Sequence, residues 1–300
     1  VEITIGPILY DWPKEAILRF YDEAATLDVE RVYVGEVVCA KRKGLGIDDI
    51  RGVAERLERF GRKVYLSTLA VVSNDEEIER VRGLVRLPYG VEANDMSAVS
   101  MAEEMKKEFV VGPHILAYNA DDADFLRSVG ATRFVMPVEL PASTIADIIK
   151  NSGVIAEVFG HGRVPLAFSW RCYTARAFGK TKAGCAIECR DFPDGMEIKT
   201  LDGAPIFSLN GTSILSADVY TLVDRIDELR EMGVRAVRIS PHHEHTGRIV
   251  EIFRKRIDGK ISADEALSEL KALHNGRLCN GWYSGRAGKD FLSAIEAESA

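Results

Sequence analysis

Eight short apolar runs, most of them separated by amphipathic helical stretches, constrain this chain more than any other feature. They lie at 3–6, 31–35, 64–68, 90–93, 109–112, 133–137, 154–158 and 236–240. They are rich in Val, Ile, Tyr and Phe and mostly lack polar–apolar alternation, the pattern of strands buried on both faces. Helical periodicity occupies 13–25, 48–60, 75–85 and 120–129. Pro13 suits a first helical turn, Gly61 and Gly130 suit helix ends, and Asp121 and Asp122 suit a helix start. Strand–helix alternation implies parallel strands joined by right-handed crossovers. Eight such strands predict a (β/α)8 TIM-like barrel. A doubly wound open sheet is the alternative, because periodicity does not show closure.

The alternation breaks at 160–215, which holds three of the five cysteines and the turn sequences at 192–195 and 201–205. A loop-rich, cysteine-bearing insertion after the seventh strand is expected there, within a single barrel domain spanning 1–300, followed by a helical tail over 262–300. The charge of −7, with 46% hydrophobic and 28% charged residues, excludes a disordered chain. It also argues against nucleic acid or an anionic membrane held by bulk charge. No apolar run approaches the roughly 20 residues of a membrane span, and the first residues do not read as a secretory signal. An odd number of unevenly spaced cysteines is a poor disulfide framework, so a reducing cytoplasm is expected.

Cys172, Cys185 and Cys189 form C-x12-C-x3-C, and Cys39 lies just past the second strand. In a parallel barrel the chain leaves every strand at one common face, so both segments can reach the same rim. Four thiolates suit structural zinc or an iron–sulfur cluster. Only the pair Cys185/Cys189 has the spacing of a zinc knuckle. The alternative without metal is that these are buried core cysteines, although the stretch at 172–189 is too rich in Arg, Lys, Thr and Gly for a core element.

Several long segments are more specific: 6–13 (Gly-Pro-Ile-Leu-Tyr-Asp-Trp-Pro), 32–42 (Val-Tyr-Val-Gly-Glu-Val-Val-Cys-Ala-Lys-Arg), 66–70, 136–140, 165–176 (Pro-Leu-Ala-Phe-Ser-Trp-Arg-Cys-Tyr-Thr-Ala-Arg), 209–211, 238–241 and 279–283. Through them the chain resembles, from end to end, the U-type collagenase-like peptidase family, in its branch serving oxygen-independent ubiquinone biosynthesis. The resemblance implies a [4Fe–4S] cluster on Cys39, Cys172, Cys185 and Cys189, which match the family's ligand positions one for one. It implies an anaerobic setting and a heterodimer with a paralogous UbiU-like subunit that carries its own cluster. It further implies a lipid-binding accessory protein, UbiT, and ring hydroxylation of a polyprenylated quinone precursor without O2. Four protein thiolates would leave no open iron, so electron transfer or structural support is expected of this subunit. The resemblance implies no proteolysis, and the chain lacks both a G-x-S-x-G elbow and an H-E-x-x-H helix. A peptidase, an RNA-modifying relative and a zinc-bound structural protein remain the alternatives.

Other residues carry two readings each. Lys41, Arg42, Lys43 and Arg171 could offset an anionic cluster or form a solvated basic loop. Glu36, Glu92 and Glu139, at or past strand ends, could face a barrel-top cavity or pair with arginines. His242, His243 and His245 read as an exposed loop, whereas His161 could reach a pocket or act structurally. Gly179-Lys180-Thr181 mimics the end of a P-loop, but Thr174 stands where its first Gly is needed. Cys279, outside the ligand set, reads as a packing residue.

Overall fold

A computed structural model describes residues 1–42 and 44–294. Lys43 of the basic stretch, and the end of the tail from 295 to 300, lie outside the described residues. The barrel strands are β1 (Glu2–Ile5), β2 (Arg31–Val34), β3 (Lys63–Ser67), β4 (Gly90–Ala93), β5 (Phe109–Val111), β6 (Ala131–Val135) and the start of β7 (Ala156–Phe168). After β8 (Met196–Lys199), β9 (Pro205–Asn210) and β10 (Ser213–Thr221) comes the eighth barrel strand, β11 (Ala236–Ile239). Each of these eight pairs in parallel with its neighbour, and β11 pairs with both β1 and β7, so the barrel closes. The open-sheet alternative is thereby excluded.

Helices α1 (Lys14–Thr26), α2 (Ile47–Arg59), α3 (Asp75–Val85), α4 (Met96–Glu104), α5 (Ala120–Ser128) and α6 (Ala142–Ser152) fill the crossovers. Asn74, Asp95 and Asn119 cap α3, α4 and α5 through their side chains. The outward rows of the strands, such as Ile3, Val32, Leu66 and Val237, join the helices in one continuous core. The inward rows alternate with them. Tyr33, Tyr65, Val110 and Val135 form a separate apolar layer inside the barrel, above and beside charged groups described below.

The insertion is more regular than its loop-rich sequence suggests. β7 does not stop at the barrel rim but runs on for 13 residues in all. Its upper half pairs antiparallel with β10, which pairs with β9, which pairs with β8. Only the cysteine-bearing part between β7 and β8 is mainly irregular, apart from the short α7 (Tyr173–Ala177) and a 3-10 turn at Glu188–Asp191. The chain returns through α8 (Ile226–Met232), β11 and α9 (Thr246–Ile257) to α10 (Ala263–Leu273), which Ser262 and Glu265 cap reciprocally. The two-residue β12 (Leu278–Cys279) then pairs with β10. Among the described residues no helix is long and apolar enough to cross a membrane.

Candidate functional site: a cysteine cradle beside the barrel-top cavity

The loop carrying Cys39 leaves β2 through Gly35, whose φ is +152° and where a Cβ would sit 2.2 Å from the Ser67 carbonyl oxygen. Only glycine allows that close approach. The Glu36 carboxylate then accepts the backbone N–H groups of Val38 (2.8 Å) and Cys39 (3.0 Å). Arg42, 1% exposed, donates to the Leu9 carbonyl and to Asn210 Oδ1, both at 2.6 Å. Thr212 in turn donates to the Val38 carbonyl at 2.6 Å. The tight turn between β9 and β10 is thus latched onto the Cys39 loop.

The same turn holds the second cysteine. Gly211 accepts the Tyr173 N–H at 2.8 Å and donates to Thr174 Oγ1 at 2.9 Å. This fixes α7, at whose start the Cys172 Sγ accepts the Ala175 N–H at 3.3 Å. Lys41 Nζ donates to the carbonyls of Lys182 (2.5 Å) and Ala183 (2.8 Å), tethering the loop that leads into Cys185. Arg190, beside Cys189, donates to Asp11 at 3.1 Å. The Cys39 loop and the distant 172–189 stretch that carries the other three cysteines therefore meet at one side of the rim.

Cys39, Cys172 and Cys189 are buried, and Cys185 is partly exposed. Burial pushes the Cys189 thiol up to about 11, with Arg42 pulling it down and Cys172 pushing it further up. Burial likewise raises Cys39. Burial pulls the Arg42 pKa down, but Glu36, Cys189 and Cys39 together hold it above the usual value. Its nearest carboxylate, Glu36, is 3.6 Å away, and its Nε has no hydrogen-bond partner. A buried cation with an orphaned donor beside the thiols of Cys39 and Cys189 suits an anionic sulfur-rich group. Among the described residues, no three His, Cys, Asp or Glu side chains gather closely enough to hold a metal ion. Arg171 is exposed and Lys41 half-buried, so among the described cations of the two basic stretches Arg42 is the one buried at the site.

A cavity of about 380 Å³ opens at the C-terminal mouth of the barrel. Leu9, Val71, Val138, Phe159, Pro165 and Phe168 give it apolar walls, and the prolongation of β7 roofs it. Its floor is charged. Arg238 Nη1 donates to Glu92 Oε1 at 2.6 Å and Nε to Glu157 Oε1 at 2.7 Å, while its guanidinium lies 4.0 Å from the Tyr33 ring centroid. Thr4 (2.8 Å) and Tyr33 (3.0 Å) also donate to Glu157. Burial would raise Glu157, but Arg238 and Arg133 hold it below the ordinary carboxylate value. Two buried floor atoms lack partners: the donor Arg238 Nη2 and the acceptor Asn94 Oδ1. The His114 ring packs 4.2 Å from that of Phe168, and desolvation with the Arg238 charge pushes its pKa down to about 3. Leu9, Ala70 and Phe168 line this cavity and also belong to the small apolar cluster that contains Cys39, so cavity and cradle adjoin.

The other candidates fall as follows. Glu36 organises the Cys39 loop, Glu92 pairs with Arg238 on the cavity floor, and Glu139 at the rim accepts from Tyr118. His243 is exposed, whereas His242 stacks on His245 at 4.9 Å. His161 is buried away from the main cavity, with its Nε2 3.0 Å from that of His274. Cys279 is buried in the core. Sequence reading assigned no role to Arg238, Asn94, His114 or Asn210, although Arg238 and Asn210 lie in the segments 238–241 and 209–211. A charged residue inside an apolar strand run was the available signal for Arg238.

The chain is 24% identical over 272 residues to the tRNA hydroxylation protein P1 of Bacillus subtilis, covering 81% of this chain and 62% of that protein. It is 26% identical over 226 residues to the tRNA hydroxylation protein P2 of the same organism, covering 70% and 72% respectively. It is 27% identical over 268 residues to the 23S rRNA 5-hydroxycytidine C2501 synthase of Escherichia coli, covering 85% of this chain but 40% of that enzyme. The first and third relatives therefore extend well beyond the part that this chain matches. The sequence model of peptidase family U32 matches residues 18–292, which takes in most of the barrel and every cysteine. The chain belongs to peptidase family U32.

Proposed function

We propose that this protein is a UbiV-type subunit: a [4Fe–4S] protein that works with a UbiU-like paralogue in the O2-independent ring hydroxylation of ubiquinone biosynthesis. The observation that carries the reading is the convergence of Cys39, Cys172, Cys185 and Cys189 segments around the buried, incompletely paired Arg42. Cys39, Cys172, Cys185 and Cys189 would hold the cluster, with Arg42 offsetting its negative charge. The bound cluster would supply one-electron redox chemistry. The adjoining cavity suits the polyprenylated quinone precursor. Its apolar walls accept a ring, and Arg238 Nη2 and Asn94 Oδ1 offer a donor and an acceptor to a phenolic hydroxyl. UbiT would deliver that lipid. That two relatives in one bacterium are named P1 and P2 is in keeping with a pair of paralogous subunits.

Anaerobic purification with iron and sulfide analysis tests the cluster. About four of each per chain are expected, with loss in Cys39→Ala, Cys172→Ala, Cys185→Ala and Cys189→Ala. Zinc without acid-labile sulfide would overturn the reading, and full iron in any one variant would remove that residue from the set.

A second reading, RNA hydroxylation, draws on the names of the three relatives. The net charge of −7 weighs against a long RNA-phosphate interface. Deleting the gene separates the two. Accumulation of unhydroxylated quinone precursors under anaerobic growth supports the first, and loss of tRNA or rRNA hydroxylation supports the second.

A further inference from the structure

A second pocket, of about 190 Å³, shares Ser240 with the main cavity but differs from it in chemistry. Its wall carries Tyr10, His161, Arg163, Ser240, His242 and His274, and among the described residues no carboxylate lines it. Arg163 spends Nη1 on the carbonyls of Ser216 and Ala217. Among the described residues no carboxylate lies within ion-pair distance of it. Arg277 on the same wall is different, since Glu197 (2.8 Å) and Asp218 (3.1 Å) neutralise it. The hydroxyls of Tyr10 and Ser240 make no hydrogen bond within the described protein, although both residues are buried.

The histidines add donors rather than charge. His161 and His274 face each other Nε2 to Nε2 at 3.0 Å, so one ring donates and the other accepts, and burial favours the neutral form of both. The His161 Nδ1, on a residue 1% exposed, has no partner. His242 Nδ1 accepts the Glu244 N–H at 3.2 Å, which places the proton of the neutral ring on Nε2. A cation without a counter-ion, two free hydroxyls and an imidazole N–H thus surround a space large enough for a small molecule. Unmatched donors around one polar pocket are the signature of a missing acceptor.

We propose that this pocket binds a small oxyanion, the carboxylate or phosphate group of a small metabolite, with Arg163 as its counter-ion and Tyr10, Ser240 and His242 as neutral donors. No cysteine of the cradle lines this pocket. Its position across Ser240 lets an anionic ligand sit next to whatever fills the main cavity.

Calorimetric titration of the anaerobically purified protein, with inorganic phosphate in one arm and malonate in the other, tests it. Saturable binding in at least one arm is expected, and the stronger arm identifies the group. Arg163→Gln should weaken it by about tenfold or more, as expected for losing a charge-assisted bond. The Tyr10→Phe/Ser240→Ala double variant, which keeps every charge, should weaken it more modestly. It provides the reading if Arg163→Gln does not fold. Iron and sulfide content should not change in either variant, so failure here is distinguishable from failure of the cluster assignment. No binding in either arm would overturn the proposal, as would equal binding by wild type and variants. Tight zinc binding that depends on His242, without anion binding, would overturn it as well.

Discussion

Arg42 concentrates the residue-scale physics of this protein. It is a nearly water-free cation held by the Leu9 carbonyl, Asn210 and a distant Glu36. Removing one partner from such a buried set leaves the others uncompensated. Arg42→Met should therefore cost about 3 kcal/mol, measured by urea unfolding of the cluster-free protein. A second prediction concerns the histidines. Burial, together with His242, His245 and Arg163, pushes His274 from 6.5 down to about 4. Its neutral form belongs to the folded state, so its contribution is intact above pH 6.5 and is lost as pH falls towards 4. His274→Gln should flatten that part of the stability–pH curve; an unchanged slope between wild type and variant would refute the assignment. At this scale the sequence was only partly legible. Cys39 and Arg42 could be singled out by position and charge. The roles of Asn210 and His274 could not be read, even though Asn210 lies in the segment 209–211, because they rest on contacts with Arg42 and His161, far away along the chain.

Elements carry these residues to their places. β2 ends in Gly35, pressed against the Ser67 carbonyl of β3. Gly35→Ala would drive a methyl group into backbone that cannot yield without separating two barrel strands. A loss of about 3 kcal/mol is expected, read as a lowered melting temperature. The same variant should load less iron, because the displaced loop carries Cys39. The barrel strands were readable because a strand buried on both faces shows as a continuous apolar run. The upper half of β7 was not, since its residues 160–168 include Gly, His, Arg and Pro and it is stabilised by pairing with β10. Pairing of that kind follows from a partner strand some fifty residues on, not from local propensity.

The whole molecule combines a closed barrel with an exposed cysteine-bearing segment. The barrel strands are almost wholly buried, while 176–184 is exposed at all but one position. Hydrogen exchange should follow that division. Backbone amides of β2, β4 and β5 are expected among the slowest. Those of 178–186 should exchange within the earliest times in cluster-free protein and slow markedly on cluster loading. Fast exchange in the segment whether or not iron is bound would count against Cys185 as a ligand.

The sequence by itself determined the parallel strand–helix order and the face on which the insertion would emerge. Both follow from hydrophobic periodicity and from the fixed handedness of crossovers, which are local rules. Closure, the prolonged β7 and the joining of four cysteine segments through Lys41, Arg42 and the Asn210–Gly211 turn were decided only in the tertiary structure. So was the charged barrel interior, where Glu92, Arg238 and Glu157 lie on different strands and are tolerable only together. A buried charge is stabilised by partners, and partners are set by the distances that folding creates.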